Sequence, residues 1–316
     1  MQIALPAHIM DDLRSRVLEI DPTIEIVAVT REGETDCDCA AAEALLRWEM
    51  SGRVVGELVS RMPHLRWMHT PSAGVDHILK PEVIQHPLVL TNSAGVHAIP
   101  IAEHVLTMLL VVAKKVRTYL ANQHNHTWEH PRAAEAYGAT LGIVGTGHIG
   151  QELARRAQGL DMHVIGTRRH PTPTPFVDQI YGYDQLHTML AQADYVAITC
   201  PLTPETNGLI GPNALQAMKE TAWLINIARG RIIQEEALLQ ALQAGTIAGA
   251  CLDVFHQEPL PPENPFWDLP NVIVTPHNSW SSPHTRARAI EFYLENLQRF
   301  LHGEPLLNVV DKELGY

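Results

Sequence analysis

A glycine-rich turn constrains the fold of this chain more strongly than any other segment. Residues 145–150 read Gly-Thr-Gly-His-Ile-Gly, which matches the pattern G-x-G-x-x-G. The turn follows an apolar predicted strand, Thr140–Val144, and precedes a helical pattern, Gln151–Ala157. A strand, such a turn and a helix form the start of a βαβ unit, in which the helix N-terminus can bind a diphosphate group. This context favours a parallel-sheet dinucleotide domain over a plain glycine-rich turn.

Each residue of this turn has a predicted place in a dinucleotide site. Gly145 allows the tight turn, Gly147 lets the backbone approach the diphosphate, and Gly150 lets the helix pack closely on the strand. His148 and Ile149 stand between these glycines at the start of the helix and are expected to line the same site.

Apolar strands alternate with helical patterns along most of the chain, which indicates parallel sheets. In the first third, the predicted strands are Gln2–Leu5, Ile24–Thr30, Ala44–Trp48, Leu65–His69 and Leu88–Thr91, with helices at His8–Ile20 and Arg53–Met62. A single long helix is predicted from Ile99 to His124. After it, the predicted strands are Thr140–Val144, His163–Thr167, Tyr195–Thr199, Ala222–Ile227, Ala248–Val254 and Val272–Thr275, and Thr285–His302 reads as an amphipathic helix.

Size, charge and cysteine content narrow the class of protein. A chain of 316 residues, 46% of them hydrophobic, is long enough for two domains with cores. A net charge of -12 argues against a nucleic-acid or anionic-membrane surface, either of which needs a basic face. The start of the chain lacks the features of a signal peptide, and the four cysteines fit a reducing cytoplasm. Cys37 and Cys39 lack a second pair of ligands, so no metal site is predicted.

Three side chains that can carry acid–base chemistry follow three predicted strands near the end of the chain. They are Arg229, Glu258 and His277. Active sites of open α/β sheets collect at the carboxyl ends of parallel strands, so these side chains can meet at one point. Such a set can reduce a 2-oxo acid: the cation holds the carboxylate, the imidazole supplies a proton, and the carboxylate favours the imidazolium. Any one of them alone could instead be a structural ion pair or a capping histidine.

These segments resemble the D-isomer-specific 2-hydroxyacid dehydrogenase family. The resemblance rests on the glycine turn and on the motifs around Arg229, Glu258 and His277, and it covers the chain from Leu65 to Tyr316. The motifs are closest to those of NADPH-preferring glyoxylate/hydroxypyruvate reductases. The resemblance implies an oxidoreductase that reduces a small 2-oxo acid to the D-2-hydroxy acid by hydride transfer from NAD(P)H.

The resemblance also implies a domain organisation. It predicts two Rossmann-like, doubly wound parallel-sheet α/β domains with the active-site cleft between them. The substrate domain would be flavodoxin-like and comprise residues 1–96 plus 283–316, and the dinucleotide domain would comprise residues 97–282. A homodimer through the dinucleotide domain is expected, with residues 116–137 as the arm.

The end of the second strand of the dinucleotide domain predicts the choice of cofactor. Where a carboxylate would bind the ribose hydroxyls of NAD, this chain reads Thr167, Arg168 and Arg169. An acid there would repel a 2′-phosphate, whereas these residues would bind it. The sequence therefore predicts NADP(H) over NAD(H), although the arginines could instead stack on adenine or face solvent.

Other cofactor contacts follow only from the resemblance. Asp253 occupies the position that bonds the nicotinamide carboxamide or its neighbour, with a turn or N-cap carboxylate as the alternative. Thr206 would order the loop beside the nicotinamide ribose. The remaining expected contacts are Cys200, Pro201, Ile227, Ala228 and Ser279.

Substrate contacts are predicted in the first domain, in addition to Arg229 and His277. Backbone N–H groups of Ser72, Ala73 and Gly74 would bind the substrate carboxylate, with a plain strand-to-helix turn as the alternative. Arg47 and Trp48 end a strand, and Trp48 is expected either to contact the substrate or to anchor domain packing. After His277 the chain reads Asn-Ser-Trp in place of the family's small apolar residues, so Trp280 could narrow the site or reach across a subunit boundary.

Two alternative functions stay open. An NAD-linked phosphoglycerate dehydrogenase-like enzyme would share the motifs, but Arg168 and Arg169 argue against it. A dinucleotide-sensing binding protein without turnover could retain the same three side chains. A fold alone does not separate these possibilities, and a turnover assay does.

Overall fold

The computed structural model describes residues 1–315 and divides the chain into two compact units. The first unit comprises residues 1–97 together with the C-terminal segment from Ser282, and the second comprises residues 98–281. Each unit is built on one sheet whose strands all pair in parallel. The predicted fold class of two parallel-sheet α/β domains is confirmed.

The first unit holds a five-stranded sheet. Its strands are β1 (Gln2–Pro6), β2 (Glu25–Val29), β3 (Ala42–Leu46), β4 (Trp67–Thr70) and β5 (Val89–Asn92). Its helices are α1 (Met10–Ile20), α2 (Gly52–Ser60), α3 (Pro81–Gln85) and α10 (Thr285–His302). The strand order β2-β1-β3-β4-β5 is that of flavodoxin-like sheets.

Both faces of this sheet are buried, because successive side chains of a strand point to opposite sides. Trp67 of β4 lies on one face, where it stacks on Tyr293 of α10 with 5.4 Å between the ring centroids. Met68, the next residue of β4, lies in a separate apolar cluster with Val55 and Leu58 of α2. This double burial explains why the strands of the first unit read as nearly continuous apolar runs.

The second unit holds a seven-stranded sheet. Its strands are β6 (Thr140–Val144), β7 (His163–Thr167), β8 (Gln179–Tyr181), β9 (Tyr195–Ile198), β10 (Trp223–Asn226), β11 (Gly249–Leu252) and β12 (Val272–Val274). Its helices are α4 (Ala98–Ala113), α5 (Val116–His124), α6 (His148–Gln158), α7 (Leu186–Leu190), α8 (Pro212–Ala217) and α9 (Glu235–Ala244).

The strand order β12-β11-β10-β9-β6-β7-β8 places two functional regions along one edge of this sheet. The order reverses beside β6, and ligands of open α/β sheets bind outside the carboxyl ends of the strands at such a switch point. The carboxyl ends of β10, β11 and β12 lie side by side further along the same edge. The glycine turn follows β6, and the candidate reactive side chains follow the other three strands.

The prediction of one long helix from Ile99 to His124 is wrong. The chain forms α4 and α5 instead, and they are separated at Lys115, whose φ of 55° lies in the left-handed region. The two helices also differ in burial, because α4 buries Val105, Leu109 and Val112, whereas α5 has no buried residue. Strand β8 and helix α3 were not predicted, because segments of three and five residues are too short to show periodicity.

Within residues 1–315, every helix is either too short or too polar to cross a membrane. The four cysteines are free thiols; Cys37 is exposed and the other three are buried.

Candidate active site

The imidazole of His277 is held by the carboxylate of Glu258. His277 Nδ1 lies 2.7 Å from Glu258 Oε2, and the two side chains are 40% and 36% exposed. The other ring nitrogen, Nε2, has no hydrogen-bond partner within residues 1–315. We assign the proton on Nδ1 from this bond, because the carboxylate can only accept. Nε2 is therefore the nitrogen that can exchange a proton with a bound molecule.

Backbone contacts fix both members of this pair. Glu258 Oε1 accepts a hydrogen bond from the Phe255 N–H at 3.0 Å, which leaves Oε2 for the imidazole. His277 has a φ of 51°, in the left-handed region that non-glycine residues rarely adopt. Its N–H donates to the Asp253 carbonyl oxygen at 2.8 Å. A backbone in this conformation persists only where the surrounding structure determines it.

The buried carboxylate of Asp253 organises the turn that carries His277. One oxygen accepts from Thr275 Oγ1 at 2.5 Å and from the Asn278 N–H at 3.0 Å, and the other accepts from the Ser279 N–H at 3.0 Å. Burial alone would raise the pKa of Asp253, but these hydrogen bonds outweigh it and hold the pKa below its ordinary value. These are the contacts of a turn carboxylate, and the expected contact with a nicotinamide carboxamide remains a prediction.

Arg229 follows the neighbouring strand β10. The last residue of that strand, Asn226, donates from Nδ2 to the Arg229 carbonyl oxygen at 3.0 Å and accepts the Ala228 N–H at 3.1 Å. A Cβ on Gly230 would lie only 2.1 Å from the carbonyl carbon of Phe255. Glycine at this position therefore lets the loop after β10 lie against the loop after β11. The three predicted catalytic side chains accordingly stand at the ends of three adjacent strands.

The glycine turn lies at the switch point of the sheet. Gly145 has a φ of 99°, and a Cβ there would lie 2.6 Å from the Cβ of Cys200. A Cβ on Gly150 would lie 2.5 Å from the Gly145 carbonyl oxygen. A Cβ on Gly147, in contrast, would meet no atom within 4 Å. Packing requires the outer two glycines, whereas the middle one leaves open space beside the backbone.

The start of α6 adds free donors to this open space. Its first hydrogen bond runs from the Gln151 N–H to the Gly147 carbonyl oxygen at 2.9 Å. The N–H groups of His148, Ile149 and Gly150 precede this bond and have no acceptor within the helix. Free N–H groups at the positive end of a helix suit an anionic group such as a diphosphate.

Two exposed arginines follow β7. Arg168 Nη1 lies 3.3 Å from Thr172 Oγ1, and Arg169 Nη2 lies 2.7 Å from Glu205 Oε1. Thr167, which was predicted with them as a cofactor contact, is fully buried, and its hydroxyl has no partner within residues 1–315. The arginines are therefore the groups that an anion at this strand end can reach.

The remaining predicted cofactor contacts lie beside the same edge. Thr206 Oγ1 donates to the Pro201 carbonyl oxygen at 2.6 Å and accepts the Thr203 N–H at 2.8 Å, so it orders this loop. Burial raises the pKa of the Cys200 thiol to about 12, which leaves it un-ionised. Three further residues are buried: Ile227, Ala228 and Ser279.

In the first unit, the loop after β4 presents unused backbone donors. Ser72, Ala73 and Gly74 are half-buried, and their N–H groups donate to no acceptor within residues 1–315. The loop is fixed from behind, because the Ser72 carbonyl accepts the Ser93 N–H at 3.3 Å and the Ala73 carbonyl accepts Asn92 Nδ2 at 2.8 Å. Consecutive free N–H groups on a fixed backbone can bind an anion such as a carboxylate.

Two tryptophans occupy positions that the sequence left open. Trp48 is 8% exposed and lies in an apolar cluster with Ile3 and Trp67, as a packing anchor would. Its expected contact with the substrate remains a prediction. Trp280 is 46% exposed, and its Nε1 donates to the His277 carbonyl oxygen at 3.0 Å. The indole is thereby held beside the turn that carries the imidazole.

Several groups that hold the site were not predicted from the sequence. Asn226 orients the Arg229 loop. The sequence feature that could have identified it is a polar residue at the end of an apolar strand. Thr275 bonds Asp253, and His104 Nε2 lies 3.5 Å from Thr275 Oγ1. Burial lowers the pKa of His104, against the opposing effect of Asp253. No local pattern could identify this last contact, because it joins residues far apart in the chain.

Comparison with known proteins agrees with this geometry. Residues 106–279 match the family described as D-isomer specific 2-hydroxyacid dehydrogenase, NAD binding domain. The matched segment covers more than half of the chain and contains the glycine turn, Arg229, Glu258 and His277.

The chain is also similar to individual members of that family. It is 36% identical over 287 residues to a glyoxylate reductase from Korarchaeum cryptofilum, across 88% of this chain and 84% of the relative. It matches a D-isomer specific 2-hydroxyacid dehydrogenase from Xanthobacter autotrophicus Py2, solved with NADPH and MES, at a TM-score of 0.88 and 30% identity over 100% and 99% of the two chains. It matches an NADPH-dependent glyoxylate/hydroxypyruvate reductase from Sinorhizobium meliloti, solved with NADP and sulfate, at a TM-score of 0.85 and 30% identity over 100% and 99%.

Proposed function

This chain belongs to the D-isomer-specific 2-hydroxyacid dehydrogenase family, and from that premise we propose that it reduces a small 2-oxo acid of the glyoxylate or hydroxypyruvate type. The product would be the D-2-hydroxy acid, and NADPH would be the reductant. The observation that carries the proposal is the His277–Glu258 pair at 2.7 Å, which leaves one imidazole nitrogen for proton transfer beside the strand ends of a dinucleotide-type sheet.

His277 is the proposed proton donor. Negative charge grows on the carbonyl oxygen of the substrate during reduction, and a proton donor within hydrogen-bond distance lowers that barrier. Nε2 is the nitrogen that would donate, because Nδ1 faces Glu258. The carboxylate stabilises the imidazolium and keeps the ring oriented while the proton is present. In the oxidative direction the same nitrogen would accept the proton.

Arg229 is the proposed anchor for the substrate. A guanidinium can bind a carboxylate through two parallel hydrogen bonds, which fixes the orientation of a 2-oxo acid. Asn226 and the close approach at Gly230 fix the backbone on both sides of Arg229. A group that is ordered before the substrate binds loses little freedom during binding.

The residues present fit a dinucleotide phosphate. The free N–H groups at the start of α6 and the open space beside Gly147 suit a diphosphate, and Arg168 and Arg169 suit a 2′-phosphate. When bound, NADPH supplies the hydride. The relatives from Xanthobacter and Sinorhizobium were solved with NADPH and NADP, which supports this choice of cofactor.

The free N–H groups of Ser72, Ala73 and Gly74 are proposed to bind the substrate carboxylate as well. Their fixed backbone supports this role, because the carbonyl groups of Ser72 and Ala73 are already bonded. Backbone donors recognise any small carboxylate, so they set the class of substrate and not its side chain.

Two other functions would use similar residues. An NAD-linked phosphoglycerate dehydrogenase-like enzyme is disfavoured, because two arginines and not a carboxylate follow β7. A dinucleotide-sensing binding protein would bind NADPH without turning over any acid. Only kinetics separate the sensor from the reductase.

The test is initial-rate kinetics with glyoxylate, hydroxypyruvate, pyruvate and phenylpyruvate, each with NADPH and with NADH. The proposal expects turnover of glyoxylate, of hydroxypyruvate or of both, with higher kcat/KM for NADPH. Tight binding of NADPH without turnover of any acid would instead support the sensor. Equal kcat/KM for the two cofactors would show that Arg168 and Arg169 do not select NADPH through its 2′-phosphate.

We also propose a homodimer through the second unit. Leu120, Trp128 and Tyr137 are 61%, 90% and 72% exposed, and α5 has no buried residue. Three large apolar side chains exposed within residues 116–137 support this segment as the interaction surface. Light scattering after gel filtration should give twice the chain mass, and Trp128→Glu should shift it toward one chain. A wild-type mass of one chain, 35.1 kDa, would contradict the proposal.

The cytoplasmic location remains a prediction.

A further inference from the structure

A buried arginine lies behind the loop that carries Ser72. Arg47 directly follows β3 and is 8% exposed. Its Nε donates to the Met50 carbonyl oxygen at 3.0 Å, Nη2 donates to the same oxygen, and Nη1 donates to Thr70 Oγ1 at 3.3 Å. None of these acceptors is a carboxylate.

The charge of this arginine persists despite burial. Burial lowers the pKa of Arg47 to about 10, against an opposing effect of Glu49, so the guanidinium stays protonated at neutral pH. A buried cation without a bonded carboxylate is costly, because its lost hydration is only partly replaced. Its positive charge is therefore available to an anion that binds nearby.

The hydroxyl groups beyond Arg47 form a chain whose direction the guanidinium fixes. A guanidinium can only donate, so Thr70 Oγ1 accepts from Arg47. Thr70 is fully buried, and its own hydroxyl proton has one acceptor within residues 1–315, Ser72 Oγ at 2.9 Å. Ser72 therefore receives that proton, since a buried hydroxyl without an acceptor would be unfavourable. The Ser72 hydroxyl proton is left to donate to a bound molecule.

We infer that Arg47 and Thr70 are positioning residues that hold the Ser72 hydroxyl as a donor to the substrate carboxylate. The hydroxyl would then act beside the free N–H groups of Ala73 and Gly74. Hydrogen bonds in series polarise one another, so the guanidinium also strengthens the terminal donor. The inference rests on the proposed function, because it takes the anion to be the carboxylate of the 2-oxo acid.

A purely structural role for Arg47 would not involve the hydroxyl chain. Its two bonds to the Met50 carbonyl would fix the turn after β3 without Thr70. Replacing Thr70 by valine removes the hydroxyl that links Arg47 to Ser72, because valine has nearly the same shape as threonine. Arg47 then loses one acceptor but keeps both bonds to the Met50 carbonyl oxygen. Replacing Thr70 by serine keeps the hydroxyl and removes a methyl group. This pair of variants separates the chain from simple packing.

The experiment compares T70V, T70S, S72A and the double variant T70V/S72A with the wild-type enzyme. T70V and S72A should each raise KM for glyoxylate by about tenfold, the loss of one hydrogen bond to a charged group. T70S should keep the wild-type KM. The double variant should be no worse than S72A alone, because both changes break one chain. In all four variants, kcat and the Kd for NADPH, measured by nucleotide fluorescence, should stay within about twofold of the wild type.

Several results would overturn the inference. The two hydroxyls do not act together if T70V leaves the KM for glyoxylate unchanged or if T70S raises it. The same conclusion follows if the effects of T70V and S72A on KM add in the double variant. Arg47→Met, where a wild-type circular dichroism spectrum and urea unfolding transition show that it folds, should raise the same KM. Adding T70V to Arg47→Met should then raise the KM no further, and independent effects of the two changes would overturn the role of Arg47. If the wild type reduces glyoxylate but the coupling is absent, the inference alone fails. If the wild type reduces no 2-oxo acid, the proposed function fails and the inference with it.

Discussion

Replacing Asp253 by asparagine should loosen the turn that carries His277. The two carboxylate oxygens of Asp253 accept three hydrogen bonds, from Thr275 and Asn278 on one oxygen and from Ser279 on the other. Asparagine keeps one oxygen, but its NH2 group would face an N–H donor at the other position. One bond to a charged acceptor is lost, and a buried donor is left without an acceptor.

The size of the effect follows from this arrangement. A hydrogen bond to a charged group contributes about 1.5–3 kcal/mol, and a buried unsatisfied donor costs about 1–3 kcal/mol. The two quantities overlap, so we expect D253N to lower the free energy of unfolding of the second unit by about 3 kcal/mol. The fold should survive, because the backbone bonds of Asp253 to Asn226 and His277 do not involve its side chain.

Three measurements test D253N: the free energy of unfolding in urea, the kcat for glyoxylate and the Kd for NADPH. Asp268→Asn is the matched control, because Asp268 is an exposed carboxylate of the same unit. A displaced imidazole should lower kcat for glyoxylate by about tenfold to a hundredfold. The Kd for NADPH should stay near the wild-type value if Asp253 is only a turn carboxylate, and should rise if it also contacts the nicotinamide. A D253N protein with unfolding free energy within about 0.5 kcal/mol of the wild type and unchanged kcat would refute the reasoning.

The effect of D253N on the free energy of unfolding should depend on pH. The pKa of Asp253 is lowered in the folded protein, so its ionised form stabilises the fold above the unfolded pKa of about 3.9. That contribution is lost as the pH falls through the lower folded pKa. The difference in unfolding free energy between wild type and D253N should therefore be constant from about pH 5 to 8 and shrink below about pH 4. A difference that grows toward acid pH would contradict the assigned direction.

Two further predictions concern the cations of the site. Arg229→Lys should lower kcat/KM for glyoxylate by about a hundredfold with an unchanged Kd for NADPH, because an ammonium cannot form two parallel hydrogen bonds to the substrate carboxylate. Near-native turnover would exclude Arg229 from the mechanism. Changing Arg168 and Arg169 together to serine should lower kcat/KM with NADPH by at least about tenfold and change kcat/KM with NADH by less than about threefold. An equal loss with both cofactors would argue against a 2′-phosphate contact.

The sequence predicted what depends on local pattern. Parallel strands that are buried on both faces read as apolar runs, so most of the sheet strands were placed within a few residues. The glycine turn was identified by the strand and helix on either side of it. The single helix to His124 failed because sequence periodicity does not report a left-handed residue such as Lys115. The short strand β8 offered too few residues to show a pattern.

The candidate site shows the same division. Arg229, Glu258 and His277 were singled out because each follows a strand, and parallel strands bring their carboxyl ends to one edge. The groups that hold them could not be found this way. The contacts of Asp253 with Thr275, and of Arg47 with Thr70, join residues that only the sheet brings together. A sequence read locally identifies functional side chains better than the residues that position them.

The most direct test of the central claim is the turnover of His277→Gln with glyoxylate at saturating NADPH, measured beside the wild type and the control His187→Gln. His187 is an exposed histidine of the same unit. If His277 donates the proton, its replacement should lower kcat by about 10²–10⁴-fold with an unchanged Kd for NADPH, while the control keeps the wild-type rate. A His277→Gln enzyme that keeps kcat within about twofold of the wild type would contradict the account.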